Sequence, residues 1–357
     1  MPATRPFDPR ALTFTPRLEE RVWGGRRLEG LGRKLPPAAP IGESWEISDV
    51  DGKASIVSRG GHRGESLRAL VEEFPRELLG AAAAARGDRT FPLLLKLLDA
   101  AQDLSVQVHP SRDDLRRMGR DSSGKTESWI ILDAEPGARI VHGLAPGITR
   151  AGAYRLLEAL GGGVLPPGED GRLFRWVGVK RGDVVHVPAG TVHTIGGGIL
   201  ILEVQETCDI TFRLHDWGRP GTDGKPRALH LREAAGVADP ETVPCPIANI
   251  EEAARSGRFV PLFRCDRYGI EVLSLHERGE SAEGSTGGSG FHIIAPLDGR
   301  AAYEGPGGDR LELAALDFVL LPAALGRYSL ASIEPKSSIL RIQAGSYNGS
   351  HPAETFT

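Results

Sequence analysis

Two imidazoles, a carboxylate and an amide fall on short apolar stretches of this chain, in positions where they could bind one metal ion. The four residues are Gln107, His109, Glu127 and His193. Mixed nitrogen and oxygen donors favour a divalent first-row ion such as zinc, with one position left open for a substrate. Burying four such groups without partners would cost several kcal/mol, which a bound ion would offset.

The stretch LSVQVHP (104–110) has the alternation of a β-strand. Alternate residues of a strand share a face, so Ser105, Gln107 and His109 should project together while the apolar residues between them face a core. The stretch GKTESW (124–129) repeats the pattern, with its lysine and glutamate on one face. Both stretches are therefore expected to present polar groups to one site.

The stretch RGDVVHVPAGTVH (181–193) predicts a strand over 184–187, a tight turn at Pro188 to Gly190, and His193 on the returning strand. Proline presets φ for such a turn and glycine allows the backbone to reverse. The spacing of Gly182, Pro188 and Gly190 resembles the second signature of cupins, small β-barrels that hold a metal inside. A histidine at this place would point into the mouth of the barrel.

The composition is typical of a soluble enzyme. The chain has 357 residues, 40% of them hydrophobic, with a net charge of −4 and a pI of about 6.2. Such a balance argues against nucleic acid as a partner. The three cysteines form no CxxC motif, the N-terminal residues lack a signal-like apolar core, and no stretch approaches the ~20 apolar residues of a membrane span. We expect a cytoplasmic protein without a membrane partner.

Short strand-like stretches separated by turn residues predict a mainly β fold, a sandwich or barrel. The predicted strands, beyond those above, are 44–49, 53–58, 92–100, 128–134, 139–144, 199–206 and 210–214. Two helical insertions are expected to pack on the barrel wall, at 66–86 with a break at Pro75 and at 149–163. The fold class is thus two cupin modules, of the double-stranded β-helix or jelly-roll type, with short helical insertions.

The sequence changes character near residue 240, so we predict a metal-binding catalytic domain over 1–240 and a degenerate cupin-like domain over 241–357. In the second, Asp317 and Pro322 repeat the spacing of Asp183 and Pro188, while an arginine takes the place of His193. This indicates an internal repeat whose second copy has no metal site. The Gly/Ser-rich stretch 279–290 is predicted to be a flexible loop and not a phosphate cradle.

Several motifs, taken in order, resemble the type I phosphomannose isomerases, and more narrowly their short, two-cupin bacterial branch. The resemblance is strong over about residues 15–235. The motifs are ERVWGGRRL (20–28), GESWEISD (42–49), LLLKLLDAAQDLSVQVHP (93–110), GKTESW (124–129), VPAGTVHTIGGG (187–198) and EVQETCDITFRLHDWGR (203–219).

The resemblance implies one zinc ion per chain and an aldose–ketose isomerase that interconverts mannose 6-phosphate and fructose 6-phosphate. It places the metal ligands on Gln107, His109, Glu127 and His193, and the catalytic arginine on Arg213. The residues that match positions lining the family's site are Lys96, Ser105, Lys125, Glu203 and Asp209. Of these, Lys125 and Ser105 would hold the substrate phosphate. A monomer or weak homodimer is expected.

The residue chemistry agrees with this reaction and leaves some roles open. A metal polarises a sugar carbonyl as a Lewis acid, and Arg213 could stabilise the enediolate oxygens, or else form a salt bridge with Asp209 on the same strand face. The proton could be moved by Glu203, by Lys125 or by a metal-bound water.

The alternatives are other cupins: one that acts on or senses a different sugar phosphate, and an iron dioxygenase. The dioxygenase is disfavoured by the amide ligand and the surrounding cations. A transcription regulator would need a DNA-binding unit, and no helix-turn-helix pattern stands out.

Overall fold

The computed structural model describes residues 5–160, 165, 168–239, 248–253 and 258–345. The chain divides into two compact units that interleave along the sequence. The central unit comprises Leu18–Trp45 and Leu94–Ala248, and the flanking unit comprises Met1–Arg17, Glu46–Leu93 and Asn249–Thr357. The predicted division into residues 1–240 and 241–357 stays a prediction.

Two antiparallel sheets form the central unit within the described residues. One has the strand order β1-β2-β3-β10-β5-β8-β12, and the other has the order β11-β4-β9-β6-β7. The strands are β1 Arg17–Gly25, β2 Ile41–Ile47, β3 Leu93–Ala100, β4 Val106–Val108, β5 Glu127–Ala134, β6 Arg139–Leu144, β7 Phe174–Gly178, β8 Asp183–Val187, β9 His193–Ile195, β10 Ile199–Glu206, β11 Phe212–His215 and β12 Ala248–Asn249.

The middle of the larger sheet is fully buried because its strands are rich in Ile, Leu and Val. Strand β10 reads ILILEVQE and pairs with β5 from Ile199↔Ala134 to Gln205↔Glu127. In β4 the two valines, Val106 and Val108, enter a core that also contains Phe174. The residue between them is therefore turned to the opposite face, as the pleat requires.

The flanking unit also contains two antiparallel sheets in its described part, with the orders β13-β14-β21-β16-β19 and β15-β20-β17-β18. Its core is built around Leu273, Tyr303 and Val319. The strands are β13 Val260–Arg264, β14 Tyr268–Leu275, β15 Ser281–Ser285, β16 His292–Asp298, β17 Ala301–Glu304, β18 Arg310–Leu313, β19 Val319–Leu321, β20 Arg327–Ser332 and β21 Ser337–Ala344.

The helices are short. They are α1 Leu67–Glu73, α2 Pro75–Leu79, α3 Ala81–Arg86, α4 Arg112–Arg117, α5 Arg150–Leu160, α6 Glu169–Leu173, α7 Leu231–Val237 and α8 Ile250–Ala253, with 3₁₀ turns at Arg27–Leu31, Pro306–Gly308 and Ala323–Leu325. Among the described residues, every helix is too short or too polar to cross a bilayer. The mainly β prediction with short helical insertions is confirmed.

The predicted helix over 66–86 is present in three pieces. Ser66 caps α1 by accepting a hydrogen bond from the Ala69 amide (3.1 Å), and Pro75 starts α2 at the predicted break. A second break falls at Gly80, whose φ of +100° ends α2. The predicted helix over 149–163 is present as α5, and its glycines at 161–163 lie outside the described residues.

One strand prediction and one loop prediction were wrong. Residues 53–58 form isolated bridges, Phe14↔Val57 and Ile56↔Ser66, and no regular strand. The stretch 279–290, predicted as a loop, contains β15, which pairs with β20 from Ser281↔Ala331 to Ser285↔Arg327. Glycine is needed in β15 because the Tyr328 ring lies where a Cβ on Gly284 would stand.

The proposed internal repeat has a matching turn in each copy. The Asp183 carboxylate accepts a hydrogen bond from the Lys180 amide (2.9 Å), and the Asp317 carboxylate accepts one from the Ala314 amide (2.8 Å). The preceding residue has positive φ in both turns, +85° at Gly182 and +62° at Leu316. Each turn leads into a strand that ends at a proline, as the sequence match predicts.

Candidate active site

Three buried side chains meet in the central unit with the geometry of a metal centre. The donor atoms of His109, Glu127 and His193 all lie within 4.8 Å of one another. His109 follows β4, Glu127 opens β5 and His193 opens β9, where it is the register partner of Gln107. Each of the three is 1% exposed. The strand pairing thus brings together residues that are up to 84 positions apart.

Backbone carbonyls orient both imidazoles. His109 Nδ1 lies 3.1 Å from the Ile210 carbonyl oxygen, and His193 Nδ1 lies 2.8 Å from that of Thr191. Donation from Nδ1 leaves each Nε2 with its lone pair facing Glu127, and both Nε2–carboxylate distances are 3.4 Å. Metal-binding histidines are typically held in this way by a second hydrogen bond.

Glu127 is held between neighbours on two sides. Its Oε1 accepts a hydrogen bond from the Trp129 indole (3.1 Å), and its Oε2 lies 3.0 Å from the Lys125 ammonium. Oε2 accepts no hydrogen bond of good geometry, although it is fully buried. The Lys125 ammonium also lies 2.9 Å from His109 Nε2, so this lysine contacts the three-residue cluster directly.

Gln107 completes the predicted ligand set. Its amide nitrogen lies 3.5 Å from His109 Nε2 and 3.3 Å from His193 Nε2, and its oxygen accepts a hydrogen bond from Ser105 (3.3 Å). A half-turn of the amide would exchange oxygen and nitrogen at the cluster. Gln107 can therefore offer an oxygen donor from the position that it already occupies.

The protonation states suit metal binding. Burial, with the nearby Lys125 charge, lowers the pKa of His109 to about 3, and burial also lowers the pKa of His193. Burial opposes ionisation of the Glu127 carboxyl group, but the Lys125 charge outweighs it and holds the pKa of Glu127 well below the usual range. Two neutral imidazoles and an ionised carboxylate are the forms that ligate a metal.

These residues fit a divalent ion. The donor set is two imidazole nitrogens, a carboxylate and an amide oxygen. The buried Glu127 Oε2 accepts no hydrogen bond, and a bound ion would supply the partner that it lacks. The coarse prediction of a metal site is therefore supported by the geometry.

A cavity of about 420 Å3 opens onto this cluster. Of the predicted site residues, all except His109 line it, and His109 contacts Gln107, Lys125 and Glu127, which do. The lining residues predicted from sequence are Lys96, Ser105, Gln107, Lys125, Glu127, His193, Glu203, Asp209 and Arg213. The strands β3, β4, β5, β9, β10 and β11 with their adjoining loops supply them.

Buried charged side chains form ion pairs along one wall of the cavity. The Lys96 ammonium lies 3.2 Å from Glu203 Oε2 and 3.9 Å from Glu43 Oε2. Burial and the nearby Glu127 charge raise the pKa of Glu203. Burial opposes ionisation of Glu43 as well, but the charges of Lys96 and Arg21 lower its pKa to about 2. Two carboxylates on one lysine thus differ in proton affinity.

Arg213 lies on β11 opposite Gln107. Its Nη1 donates to the Ala228 carbonyl oxygen (2.8 Å), while its Nε is buried without a hydrogen bond. Burial and the Arg227 charge lower its pKa, and the Asp216 charge opposes that effect. The charge of Asp209 acts instead on Lys125, whose pKa lies above its usual range: burial lowers it, but Glu127 and Glu203 outweigh burial.

Some lining residues were not identified from the sequence. Glu43 accepts hydrogen bonds from the Trp45 indole (2.7 Å) and from Arg21 Nε (2.8 Å), and Arg227 lines the cavity beyond the last motif used. Glu43 shares one face of the wholly buried strand β2 with Trp45 and Ile47. A charged residue in such a strand was the signal that could have identified it.

Comparisons with known proteins find relatives of this chain among the phosphomannose isomerases. A family model described as the catalytic domain of type I phosphomannose isomerase matches residues 12–124. Mannose-6-phosphate isomerase ManA of Bacillus subtilis is 40% identical over 233 residues, which cover 65% of this chain and 69% of that relative. The mannose-6-phosphate isomerase of Streptococcus mutans is 36% identical over 221 residues, covering 62% and 65% respectively.

The fold agrees as well. The solved structure of mannose 6-phosphate isomerase from Bacillus subtilis matches with a TM-score of 0.76 and 26% identity, and the match covers 93% of this chain and 99% of that chain. The predicted cupin-type architecture is confirmed. The chain therefore belongs to the type I phosphomannose isomerase family, as its motifs predict.

Proposed function

We propose that this chain interconverts mannose 6-phosphate and fructose 6-phosphate with one zinc ion per chain. The observation that carries the proposal is the buried cluster of His109, Glu127 and His193 at the wall of a cavity that also contains Arg213. The relatives named for this activity, at 40% and 36% identity, support the choice of substrate.

The zinc ligands would be His109, Glu127, His193 and the amide oxygen of Gln107. A zinc ion bound there would polarise the carbonyl oxygen of the open-chain sugar and so acidify the neighbouring C–H. The low proton affinity of the buried imidazoles supports this assignment because they stay neutral at physiological pH.

The proton between C1 and C2 needs a group that can both accept and release it. Glu203 and Lys125 are the candidates, and the raised pKa of Glu203 suits such an exchange. Lys125 is kept charged by Glu127 and Glu203, so it favours donation of hydrogen bonds to a sugar oxygen. Lys96 would hold the Glu203 carboxylate in place through their 3.2 Å contact.

Arg213 would stabilise the negative charge that develops on the sugar oxygens in the transition state. Its guanidinium lines the cavity and has donors that its one hydrogen bond within the described residues, to the Ala228 carbonyl oxygen, does not use. Ser105, Lys125, Lys96 and Asp209 are proposed as substrate-binding residues because they line the same cavity.

The chain is proposed to act in the cytoplasm. Cys208 and Cys265 are both free thiols, as expected in a reducing compartment. The expectation of a monomer or weak homodimer stays a prediction.

Metal analysis together with a coupled isomerase assay tests the proposal. We expect about one zinc per purified chain, turnover of mannose 6-phosphate, loss of activity with a chelator, and recovery when zinc is restored. A zinc-loaded protein that turns over another sugar phosphate but not mannose 6-phosphate would overturn the substrate assignment. Full activity after complete removal of metal would overturn the metal assignment.

A further inference from the structure

Three arginines lie around the carboxylate of Asp216 in the central unit. Arg227 holds it with two hydrogen bonds, Nε to Oδ2 at 2.6 Å and Nη2 to Oδ1 at 2.5 Å. Arg219 donates to Oδ1 from Nε (3.2 Å) and Nη2 (3.0 Å). Arg213 is close enough for the Arg227 and Asp216 charges to act on it, and both Arg213 and Arg227 line the cavity.

This arginine cluster carries an unbalanced charge. Three guanidinium ions lie near two carboxylates, because the Asp103 charge also acts on Arg219, and this leaves a net charge of about +1 in a region where the Asp216 and Arg227 side chains are 6% and 22% exposed. Like charges gathered away from water are costly unless an anion compensates them. A phosphate monoester carries about −1.5 to −2 at pH 7, which is enough to neutralise this excess.

The backbone fixes Arg227 in place. The turn from Asp216 to Arg219 holds Trp217 at a φ of +58°, and the Trp217 indole donates to the Leu104 carbonyl oxygen (2.7 Å). An antiparallel β-bridge between Pro220 and Pro226 then brings the chain back. Arg227 thereby reaches the Asp216 carboxylate, to which Arg219 also donates hydrogen bonds. Such a built turn pre-organises the guanidinium before any ligand arrives.

Arg227 keeps donors for a ligand. Its two hydrogen bonds to Asp216 use Nε and Nη2, and its Nη1 makes no hydrogen bond within the described part of the chain. An arginine held along one edge in this way presents its remaining N–H groups as a fixed fork, which suits phosphate oxygens.

We propose that Arg227, positioned by Asp216, binds the phosphate group of the substrate. The proposal rests on the proposed function and assigns the phosphate end of the same cavity. Lys125 and Ser105, to which the sequence assigns the phosphate, contact His109 and Gln107 among the metal-ligand residues. They lie where C1 and C2 must react, and the phosphate of an open-chain hexose 6-phosphate is at the opposite end of the carbon chain.

The test compares Arg227→Met with two other arginine variants of the zinc-loaded enzyme. Inorganic phosphate is the probe, and its binding is measured by calorimetry and by the rise in Tm, so that one readout does not depend on activity. Arg219→Met likewise removes one positive charge and one hydrogen-bond donor to Asp216, but Arg219 is not among the cavity-lining residues. Arg117→Met removes an arginine that pairs with Asp114 on α4, away from the cavity.

We expect Arg227→Met to weaken phosphate binding and raise KM for mannose 6-phosphate, each by about 10- to 100-fold, the usual loss for a hydrogen bond to a charged group. Arg219→Met should lose about 3-fold or less, because Arg219 does not line the cavity and its charge acts on a ligand there only from a distance. Arg117→Met should bind phosphate like the parent. Arg227→Lys should recover part of the affinity, because it restores the charge without the fork.

Two results would overturn the proposal. One is an Arg227→Met enzyme that keeps the parent's phosphate affinity and KM. The other is a Lys125→Met enzyme that loses phosphate binding while Arg227→Met retains it. Failure of the proposed function is a separate outcome, since a parent enzyme without isomerase activity would still report phosphate binding by calorimetry.

Discussion

Replacing Arg213 with lysine separates a catalytic role from a structural one. In the described part of the chain the Arg213 side chain donates one hydrogen bond, from Nη1 to the Ala228 carbonyl oxygen at 2.8 Å, worth about 1 kcal/mol. Its Nε is buried without an acceptor, a cost of about 1–3 kcal/mol that lysine removes. The two effects oppose each other, so Arg213→Lys should shift Tm by no more than about 2–4 °C in either direction.

The effect on catalysis should be much larger. Lysine keeps the positive charge but lacks the planar fork, and a pre-organised donor lost from a developing oxyanion costs about 10²–10³-fold in kcat. We therefore expect kcat to fall by that factor while zinc content and Tm stay close to the parent values. The ion pair with Asp209 considered from sequence predicts the reverse, a lower Tm with nearly normal turnover.

The assay needs three measurements on one variant: kcat with mannose 6-phosphate, zinc per chain and thermal unfolding. Arg117→Lys is the matched control, because Arg117 also lies in the central unit but pairs with Asp114 outside the cavity. A kcat for Arg213→Lys within about 3-fold of the parent, with full zinc, would refute the catalytic assignment.

Other perturbations test the metal site and the fold. His193→Ala should lower zinc content and turnover together, which atomic absorption and kinetics on one sample will show, whereas normal zinc content would remove His193 from the ligand set. Lys125→Met should destabilise the metal-free protein by about 3–5 kcal/mol in urea unfolding, since a buried carboxylate loses its ammonium partner. Unchanged stability would contradict that pairing. Gly284→Ala should cost about 1–3 kcal/mol because its Cβ would collide with the Tyr328 ring, while Gly290→Ala, which meets open space, should cost little.

Local patterns were enough to predict the strands that carry the ligands. Alternation in LSVQVHP placed Gln107 on the face opposite Val106 and Val108, and the structure confirms that arrangement. The turn at Pro188 to Gly190 likewise placed His193 at the start of a strand. These predictions succeed because the period of a strand and the chemistry of a turn are set by neighbouring residues.

Pairing between distant segments could not be predicted in the same way. Ser281–Ser285 has a loop-like composition and becomes a strand because Arg327–Ser332 supplies its hydrogen bonds and Tyr328 packs on Gly284. Residues 53–58 alternate as a strand should, but they find single bridge partners. Strand propensity depends on such partners more than on the residues themselves.

The chemistry of the site depends on the order of strands in the sheet. Strands β2, β3, β10 and β5 are consecutive neighbours, and they carry Glu43, Lys96, Glu203 and Glu127. Each of these residues is no more than 7% exposed. Buried ion pairs seldom add stability relative to apolar residues of the same size. A row of charged residues across four strands therefore stabilises the fold no better than apolar residues at these positions would.

The same row is well suited to a reaction that moves a proton. A carboxylate at each side of Lys96 is held within 3.9 Å, and the two differ in proton affinity because Glu43 also pairs with Arg21 while Glu203 lies near Glu127. Neighbouring strands in this sheet are far apart in sequence, from residue 43 to residue 203. The difference between the two carboxylates is therefore a property of the assembled sheet, and it is the reason to propose Glu203 before Glu43 as a group that exchanges a proton with the sugar.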